Sequence, residues 1–452
     1  MNKPFIYFIC LVSAMGGLLF GYDYVVIGGA KIFYEGFFGI GDNQLMIGLA
    51  TSIALAGCML GAVTVGALAD RFGRKPLLIF AAFVFVISSI GTGAFNSLGW
   101  FLVARFIGGT AIGMASGLSP MYIAEVAPTA IRGRLVTLNQ LTIVIGILAA
   151  QIVNWRIAAC HDAAWNTALG WRWMFWATAF PAAVFMILAF FIPESPRWLS
   201  LVGRTTPARA TLAKIGGEDY ADAELEEFRK AALASENESK GGLRLLLSRP
   251  FRMVLVLGCV IAFFQQWCGT NVIFNYAQEI FAGAGYDVDN TFINIVITGI
   301  ANLVFTFVAL FTVEKLGRRA LMLLGAGGLA GIYLIMGCCY FFEVKGIFMV
   351  IVSVMAIACY AMTLGPVTWV LISEIFPGRV RAVAVAAATF VLWIGSFTLT
   401  LSFPMLNAAL GTSGTFWIYS AICVAAFVYL LKFLPETRGV SLEELEGKMI
   451  KN

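Results

Sequence analysis

The stretch Asp70-Arg-Phe-Gly-Arg-Lys75 recurs 244 residues later as Glu314-Lys-Leu-Gly-Arg-Arg319, and each copy separates two long apolar segments. Two further motifs recur at nearly the same offset: Glu125-Val-Ala-Pro-Thr-Ala-Ile-Arg132 with Glu374-Ile-Phe-Pro-Gly-Arg-Val-Arg381, and Pro193-Glu-Ser-Pro-Arg197 with Pro435-Glu-Thr-Arg438. In both copies, each motif follows the corresponding apolar segment. The three repeats therefore predict a chain built from two copies of one structural unit.

The composition indicates a membrane protein. Of the 452 residues, 60% are hydrophobic and 12% are charged, whereas a soluble domain carries about 25% charged residues. Many stretches are apolar over the roughly 20 residues that a spanning helix needs. We predict an all-α membrane protein with twelve transmembrane helices in two pseudo-symmetric six-helix bundles. The predicted spans are residues 5–30, 44–69, 77–95, 98–121, 135–154, 171–192, 251–281, 291–313, 320–342, 346–373, 382–405 and 412–433.

Lysine and arginine are distributed unequally between the predicted loops. Of the 30, 25 fall on the side that carries the repeated motifs, four fall on the other side, and Arg105 lies inside a span. Because positively charged loops remain in the cytoplasm, we expect the motifs and both termini to be cytoplasmic. The net charge of +5 follows from this bias and does not indicate nucleic-acid binding. Short external loops favour a bacterial inner membrane.

One long polar segment divides the two repeats. We predict an N-terminal bundle at 1–192, an intracellular helical linker domain at 193–250, a C-terminal bundle at 251–434 and a cytoplasmic tail at 435–452. The linker contains three helical stretches: one that opens at Thr206-Pro207, one from Ala223 to Ala234, and a short one from Gly242 to Ser248. A flexible linker is the alternative.

No metal or cofactor site is expected. The nine cysteines lie mostly inside spans, and Cys160 is the one in a predicted external loop. His161, the only histidine, lies in the same loop. The cysteines are therefore interpreted as small apolar residues and not as a disulfide framework.

The repeated motifs place acids beside arginines on the predicted cytoplasmic side. Carboxylate–guanidinium pairs between helix ends could hold this side closed, and weak exposed pairs suit a gate that must open. The alternative is that the charges only set topology, although topology needs positive charge alone. The predicted gate residues are Asp70, Arg71, Arg74, Glu125, Arg132, Glu194, Glu314, Arg318, Arg319, Glu374, Arg381 and Glu436.

These motifs resemble the sugar porter family of the major facilitator superfamily. The stretch from Arg105 to Glu125, continuing to Arg132-Gly133, resembles the family signature through the fourth span. Pro193-Glu-Ser-Pro-Arg-Trp-Leu199 and Pro435-Glu-Thr-Arg-Gly439 resemble its marks after the sixth and twelfth spans. The resemblance covers nearly the whole chain. It implies an alternating-access carrier that binds its substrate at the membrane midplane.

The first repeat contains two charged residues inside predicted spans, Asp23 and Arg105. Such residues cost about 2.5–3.5 kcal/mol each to insert, so they are functional candidates. Burial raises the pKa of a carboxyl group and a nearby guanidinium lowers it; the hypothesis is that Asp23 titrates as Arg105 moves. A fixed, merely tolerated ion pair is the alternative. The pair resembles that of bacterial sugar–proton symporters, whereas vertebrate facilitative glucose transporters lack the acid.

The second repeat carries uncharged amides in its spans. Side-chain amides donate and accept hydrogen bonds at once, which suits a neutral polyol better than an anion. A single intramembrane amide more often makes an interhelical hydrogen bond worth about 0.6 kcal/mol, but here several lie together near Gly269. The amides are Gln265, Gln266, Asn271, Asn275 and Asn302, with Gln140 and Gln151 in the fifth span.

By resemblance, Gln140, Gln265, Gln266, Asn271, Asn302 and Trp369 match sugar-contacting positions of the family. Phe20, Trp369 and Trp393 are proposed as rings for the sugar's C–H face. Breaks are expected in the tenth span at Gly365-Pro366, in the fourth at Ser119-Pro120 and in the eleventh at Pro404. Asn275 and Leu392 depart from the family pattern, which leaves the identity of the sugar open.

The expected partners are thus a neutral monosaccharide, a proton and the lipid bilayer, and we expect the monomer to be the functional unit. A proton-independent facilitator is the nearest alternative, and Asp23 argues against it. A drug–proton antiporter would need a larger apolar pocket. A membrane enzyme would need a nucleophile–base set, which the spans lack. A sensor of this fold would carry a long tail, whereas about 18 residues follow the last span.

Overall fold

The computed structural model describes residues 1–129, 131–238, 245–377 and 380–436, and within these ranges it is helical with no strand. Eleven of its helices are long and apolar enough to cross a membrane. The first six spans are Lys3–Phe38, Gln44–Phe72, Arg74–Ala94, Leu98–Val126, Arg132–Ala159 and Ala163–Ala189. The later ones are Arg249–Gly283 in three pieces, Val288–Leu316, Arg318–Phe341, Ile347–Glu374 in two pieces, and Arg381–Phe433.

The last of these helices contains two spans. Arg381–Phe433 is 53 residues long, and its backbone leaves the helical region at Gly411, where φ is 69° and ψ is 172°. A helix of that length measures about 80 Å at 1.5 Å per residue, far more than the roughly 30 Å hydrocarbon layer. The break at Gly411 therefore separates the eleventh and twelfth spans, and the prediction of twelve transmembrane helices is confirmed.

Two spans are interrupted in the middle. The seventh breaks at Gly269, whose φ of 89° ends Arg249–Trp267, and continues as Thr270–Asn275 and Ala277–Gly283. The tenth breaks at Thr363, two residues before the predicted Gly365-Pro366. Irregular backbone at membrane depth is tolerated where protein or a cavity satisfies it. Both breaks therefore indicate an internal cavity.

The predicted breaks at Ser119-Pro120 and Pro404 were wrong, because both helices continue through the proline. A proline removes one backbone hydrogen bond, but that loss ends neither helix, and both pack against neighbouring helices beside the proline. Ser13 Oγ donates to the Ser119 carbonyl oxygen at 3.1 Å. The Phe403 ring packs on Tyr276 with centroids 4.4 Å apart.

Three helices follow the sixth span: Pro196–Leu201, Thr205–Gly216 and Glu218–Glu238. The predicted stretch Ala223–Ala234 lies inside the last of them. Exposed Arg209 pairs with Glu218 and Asp222, both at 2.7 Å. Of the predicted helix Gly242–Ser248, residues 242–244 lie outside the described residues and 245–248 form a short helical turn. Most of the tail 435–452 also lies outside the described residues. The bounds of the four domains remain predictions.

Candidate transport site

One end of the molecule joins the two halves directly. We call the end that carries residues 70–75 and 314–319 the motif end, and the end that carries Lys31 and Glu279 the opposite end. Lys31 in the first span is 3% exposed and forms an ion pair with Glu279 in the seventh span. Its ammonium group also lies 4.5 Å from the centre of the Tyr276 ring. One buried cation of the first half is thus held by two residues of the second.

The Gln278 side chain adds two hydrogen bonds across the same boundary. Its Nε2 donates to Gly29 O at 3.0 Å, and its Oε1 accepts from Ile32 N at 3.3 Å. Close by, a Cβ on Gly28 would lie 2.6 Å from the Phe274 carbonyl oxygen. The first and seventh spans therefore approach so closely that a side chain larger than hydrogen would separate them.

Two more helix pairs meet in the same way at the opposite end. A Cβ on Gly48 in the second span would overlap the Leu401 carbonyl oxygen in the eleventh. A Cβ on Gly299 in the eighth span would overlap the Gln151 amide in the fifth. Close contact at a glycine in three helix pairs closes the opposite end, which leaves the motif end as the way out of the molecule's interior.

A Glu279→Gln variant should open the opposite end more often, because it removes the only carboxylate of the described second-half residues that pairs with Lys31. Lys31 would keep its pair with Glu35 on its own helix, so the variant removes only the ionic attraction between the two halves. Spin labels at the exposed residues Asp42 and Glu343 would report the change as a longer distance distribution.

Glu35→Gln is the matched control. Glu35 pairs with the same Lys31 at 3.3 Å but lies on the same helix, so its loss should leave the distances between the halves unchanged. Equal lengthening in both variants would show that the pair to Glu279 has no special role in closure.

A large cavity lies between the halves. The centre of a water molecule can occupy a volume of about 340 Å³ within it. It reaches from Phe20 in the first span to Trp369 and Val370, near the motif end of the tenth span. All eight sugar-site residues predicted from the sequence line it: Phe20, Gln140, Gln265, Gln266, Asn271, Asn302, Trp369 and Trp393. Their role in binding stays a prediction, but their convergence on one cavity is a property of the structure.

Amides on the seventh span form a hydrogen-bonded chain along the cavity wall. Asn271 Nδ2 donates to Gln266 Oε1, Gln266 Nε2 donates to Gln265 Oε1 at 2.7 Å, and Gln265 Nε2 donates to the Tyr360 hydroxyl at 3.0 Å. The break at Gly269 turns Asn271 back toward the glutamines. The chain fixes the orientation of each amide, so donors and acceptors are set before a ligand arrives.

Aromatic rings form the facing wall. Phe20 packs edge-on against Trp393, with centroids 5.6 Å apart, and against Tyr24, at 5.9 Å. Trp393 Nε1 is buried and has no hydrogen-bond partner among the described residues. Trp369 is 40% exposed on the side of the cavity toward the motif end. The wall offers flat apolar faces and one unused N–H donor.

Sequence reasoning missed Tyr24, Tyr360 and Ser396, which also line the cavity. Tyr360 lies one turn before the break at Thr363, so its closeness to a helix break was the available signal. Gln151 belongs elsewhere: it packs against Gly299 and does not line the cavity.

The charged pair predicted inside the membrane is present. Arg105 Nη1 donates to Asp23 Oδ1 at 2.6 Å, and the two residues are 4% and 5% exposed. The Arg105 guanidinium also lies over the Phe175 ring, 5.2 Å from its centre. Asp23 follows Tyr22 on the helix that contributes Phe20 to the large cavity, so the pair lies about one turn from the cavity wall.

The motif end repeats one arrangement in both halves. Arg74 Nη2 donates to Glu125 at 2.9 Å in the first half, and Arg318 Nη2 donates to Glu374 at 3.1 Å in the second. Each pair joins the start of an odd-numbered span to the end of the next. These two arginine–glutamate pairs each lie within one half, and their role as a gate stays a prediction.

Glu194 caps the third span. Its carboxylate accepts hydrogen bonds from the backbone N–H groups of Arg74 at 3.0 Å and Lys75 at 3.2 Å. A carboxylate is favourable at a helix N-terminus because it satisfies unpaired donors and meets the positive end of the dipole. Gly73 precedes the helix with φ of 91°, and a Cβ there would overlap this carboxylate.

Glu436 caps the ninth span in the same way, accepting from the N–H groups of Arg318 at 3.0 Å and Arg319 at 3.2 Å. Gly317 has φ of 86°, and a Cβ on it would lie 2.7 Å from Glu436 Oε2. The glycine of each motif is therefore required by backbone conformation and by the carboxylate beside it.

A Gly317→Ala variant is expected to lose about 1–3 kcal/mol of stability to backbone strain alone, because φ of 86° with ψ of 157° is a conformation essentially restricted to glycine, besides displacing the Glu436 carboxylate. The melting temperature in detergent should fall by several degrees. Gly331→Ala, on the same helix with open space around it, should be neutral or slightly stabilising. Equal melting temperatures for the two variants would contradict this account of the motif.

The predicted carboxylate partners of Arg132 and Arg381 were wrong. Arg132 Nε donates to the Ala127 carbonyl oxygen at 3.3 Å, and Arg381 Nε donates to that of Phe376 at 3.0 Å. Each guanidinium thus satisfies a carbonyl left unpaired where the preceding helix ends. Sequence spacing could not distinguish a carboxylate partner from a carbonyl five residues upstream.

Two other predicted gate residues, Arg71 and Arg319, have partners other than a carboxylate side chain, whereas Asp70 has the expected arginine beside it. The Arg71 guanidinium lies over the Phe72 ring, 5.2 Å from its centre. Arg319 Nη2 donates to the Leu431 carbonyl oxygen at 2.8 Å. Asp70, with a side chain 79% exposed, approaches Arg74 at 3.4 Å, a weak contact. The side chain of Glu314 lies outside what the structure describes.

A twelve-helix bundle in two matched halves, with one polar cavity between them and one end closed, defines a secondary transporter and not an enzyme. The chain belongs to the sugar transporter family: a family model described as "Sugar (and other) transporter" matches residues 9–448.

Two curated relatives match over nearly their full length. The D-xylose-proton symporter of Escherichia coli K12 is 37% identical, with 99% of this chain and 96% of the relative covered. The arabinose-proton symporter of Bacillus subtilis is 36% identical, with 100% and 96% covered. A structure of the E. coli xylose transporter XylE, described as inward open, superimposes with a TM-score of 0.87 at 36% identity, covering 98% of this chain and 99% of that one.

Proposed function

We propose that this protein transports a neutral monosaccharide together with a proton across the membrane by alternating access. The observation that carries the proposal is the buried Asp23–Arg105 pair about one turn from a cavity lined by amides and aromatic rings. The relatives named for xylose–proton and arabinose–proton symport support both halves of the proposal.

The cavity favours a neutral polyol. Gln140, Gln265, Gln266, Asn271 and Asn302 supply amides, and each amide donates to and accepts from hydroxyl groups. No charged side chain is among the described residues that line the cavity. An anionic or cationic substrate would lack a counter-charge there.

The proton is assigned to Asp23. While Arg105 donates to it, the carboxylate is stabilised in its charged form. Rocking of the halves that withdraws the guanidinium would leave a carboxylate in an apolar site, which favours protonation. One charge moved across about 150 mV supplies roughly 3.5 kcal/mol. At about 1.4 kcal/mol per factor of ten, that supports a sugar gradient of a few hundredfold before any pH difference is added.

We place the motif end in the cytoplasm of a bacterial inner membrane, with both termini on that side, on the basis of the lysine and arginine bias. In that orientation the structure is closed outside and open inside, in keeping with its similarity to an inward-open relative. One chain contains the whole cavity, so we propose that the monomer is the transporting unit.

The test is uptake into proteoliposomes with a panel of pentoses and hexoses, with and without an imposed pH gradient. We expect at least one sugar to be concentrated only when the gradient is present. Equilibration of a sugar without accumulation under any gradient would instead identify the runner-up, a facilitative uniporter.

A further inference from the structure

A second, much smaller cavity lies beside the charged pair. The centre of a water molecule can occupy a volume of about 20 Å³ within it. One water needs about 10–15 Å³ on the same measure, so the cavity has room for one. Asp23 and Arg105 are the charged side chains among its lining residues, and Tyr24, Thr51 and Asn275 supply its neutral polar groups. The remaining lining is apolar.

Several polar atoms around this cavity are buried and have no partner among the described residues. Asn275 is 2% exposed, and among the described residues its Oδ1 accepts no hydrogen bond and Arg105 Nε donates none. The buried Tyr24 hydroxyl lies within reach of Asn275 and Ser396. Asp23 accepts through Oδ1 alone. Unsatisfied buried groups cost about 1–3 kcal/mol each, and a bridging water makes two to four hydrogen bonds. The site has the room and the partners for one.

Tyr24 connects this small cavity to the large one. Its side chain lines both, and its hydroxyl lies beside Asn275, which lines only the small cavity, and Ser396, which lines only the large one. A hydroxyl donates and accepts at once, so it can carry a hydrogen-bonded chain through the wall between the cavities.

We propose that Asn275 and Tyr24 hold a water next to Asp23, and that this water and the Tyr24 hydroxyl form the route by which Asp23 exchanges its proton with the large cavity. The inference rests on the proposed proton coupling and adds the route. Both residues are positioning residues for the transfer.

The transfer conserves protons. The water gives one proton to the Asp23 carboxylate and takes one from the Tyr24 hydroxyl, and the tyrosine takes one from a hydronium ion in the large cavity, which becomes water. No charge remains on the tyrosine or the water, and the net event is one proton moved from the large cavity to Asp23. Withdrawal of the guanidinium from the carboxylate makes the event favourable.

The route is tested by comparing two rates in proteoliposomes. Uptake driven by a pH gradient requires Asp23 to gain and lose a proton in each cycle, whereas sugar counterflow exchanges one sugar for another while the proton stays bound. Asn275→Leu keeps the side-chain size and removes the amide, and Tyr24→Phe removes only the hydroxyl. Each should lower the ratio of gradient-driven uptake to counterflow about tenfold, the effect of one hydrogen bond to a charged group.

Tyr22→Phe is the matched control, because its hydroxyl is also buried on the same helix but lines neither cavity. It should leave the ratio unchanged. The route is refuted if both Asn275→Leu and Tyr24→Phe keep the wild-type ratio, or if each lowers the two rates equally. A wild-type protein that ignores the pH gradient would instead refute the symport proposal itself.

Discussion

An Asp23→Asn variant is expected to lose uphill sugar accumulation completely. Asparagine keeps an oxygen that can accept from Arg105, which lies 2.6 Å from the native carboxylate, but it cannot gain or lose a proton. The roughly 3.5 kcal/mol that one proton gains across about 150 mV can then no longer be coupled to sugar movement. The accumulation ratio of labelled sugar in energised proteoliposomes should fall from up to a few hundredfold to one.

Asp42→Asn is the control for this variant, because it makes the same change at an exposed carboxylate near the opposite end. It should accumulate sugar as the wild type does. If Asp23→Asn still concentrated sugar, the proton would have to bind elsewhere, and the coupling assignment would be wrong.

A Gln266→Leu variant is expected to weaken sugar binding about a hundredfold, the consequence of roughly 3 kcal/mol lost when buried hydrogen-bonding partners are left unpaired. Gln266 stands in the middle of the amide chain, accepting from Asn271 and donating to Gln265. Leucine removes contact with the sugar and leaves both neighbours without that partner. Calorimetric titration of the purified protein would give the dissociation constant.

Gln151→Leu provides the matched comparison. Gln151 is another buried intramembrane glutamine, 1% exposed, but neither end of its amide has a partner among the described residues and it does not line the cavity. Its replacement should change the dissociation constant by less than about threefold, since no hydrogen bond is lost. Equal losses in the two variants would mean that the amide chain does not form the binding site.

Much of the fold could be predicted because membrane insertion depends on local composition. A run of about 20 apolar residues marks a span wherever it occurs, and even Gly411 lies in the predicted gap between the last two spans. Convergence of eight separated residues on one cavity could be predicted only through resemblance, since spacing along the chain does not bring Phe20 to Trp393.

What the sequence did not reveal depends on contacts between helices. The fourth span continues through Pro120 beside a hydrogen bond from Ser13 to the Ser119 carbonyl oxygen. Closure of the opposite end depends on Gly28, Gly48 and Gly299, whose partners are backbone or side-chain atoms of the other half. Arg132 and Arg381 donate to carbonyl oxygens and not to the carboxylates expected. Such choices follow from three-dimensional distances that a motif does not encode.

The symmetry of the molecule separates two roles. The motif ends of the halves share two arrangements: Glu194 and Glu436 cap helix starts, and Arg74 and Arg318 pair with Glu125 and Glu374. Since these bonds lie within the halves, we propose that they keep each bundle rigid as it rocks. The interiors differ: the first half carries the Asp23–Arg105 pair and the second carries most of the amides.

Sugar-induced proton movement is the measurement that tests the central claim most directly. Proteoliposomes in weak buffer without an imposed gradient would receive an outside pulse of the transported sugar while the external pH is recorded. Symport predicts that the medium becomes alkaline as sugar enters, and that Asp23→Asn abolishes the signal. Sugar entry with no change in external pH would contradict proton coupling and leave a facilitative transporter.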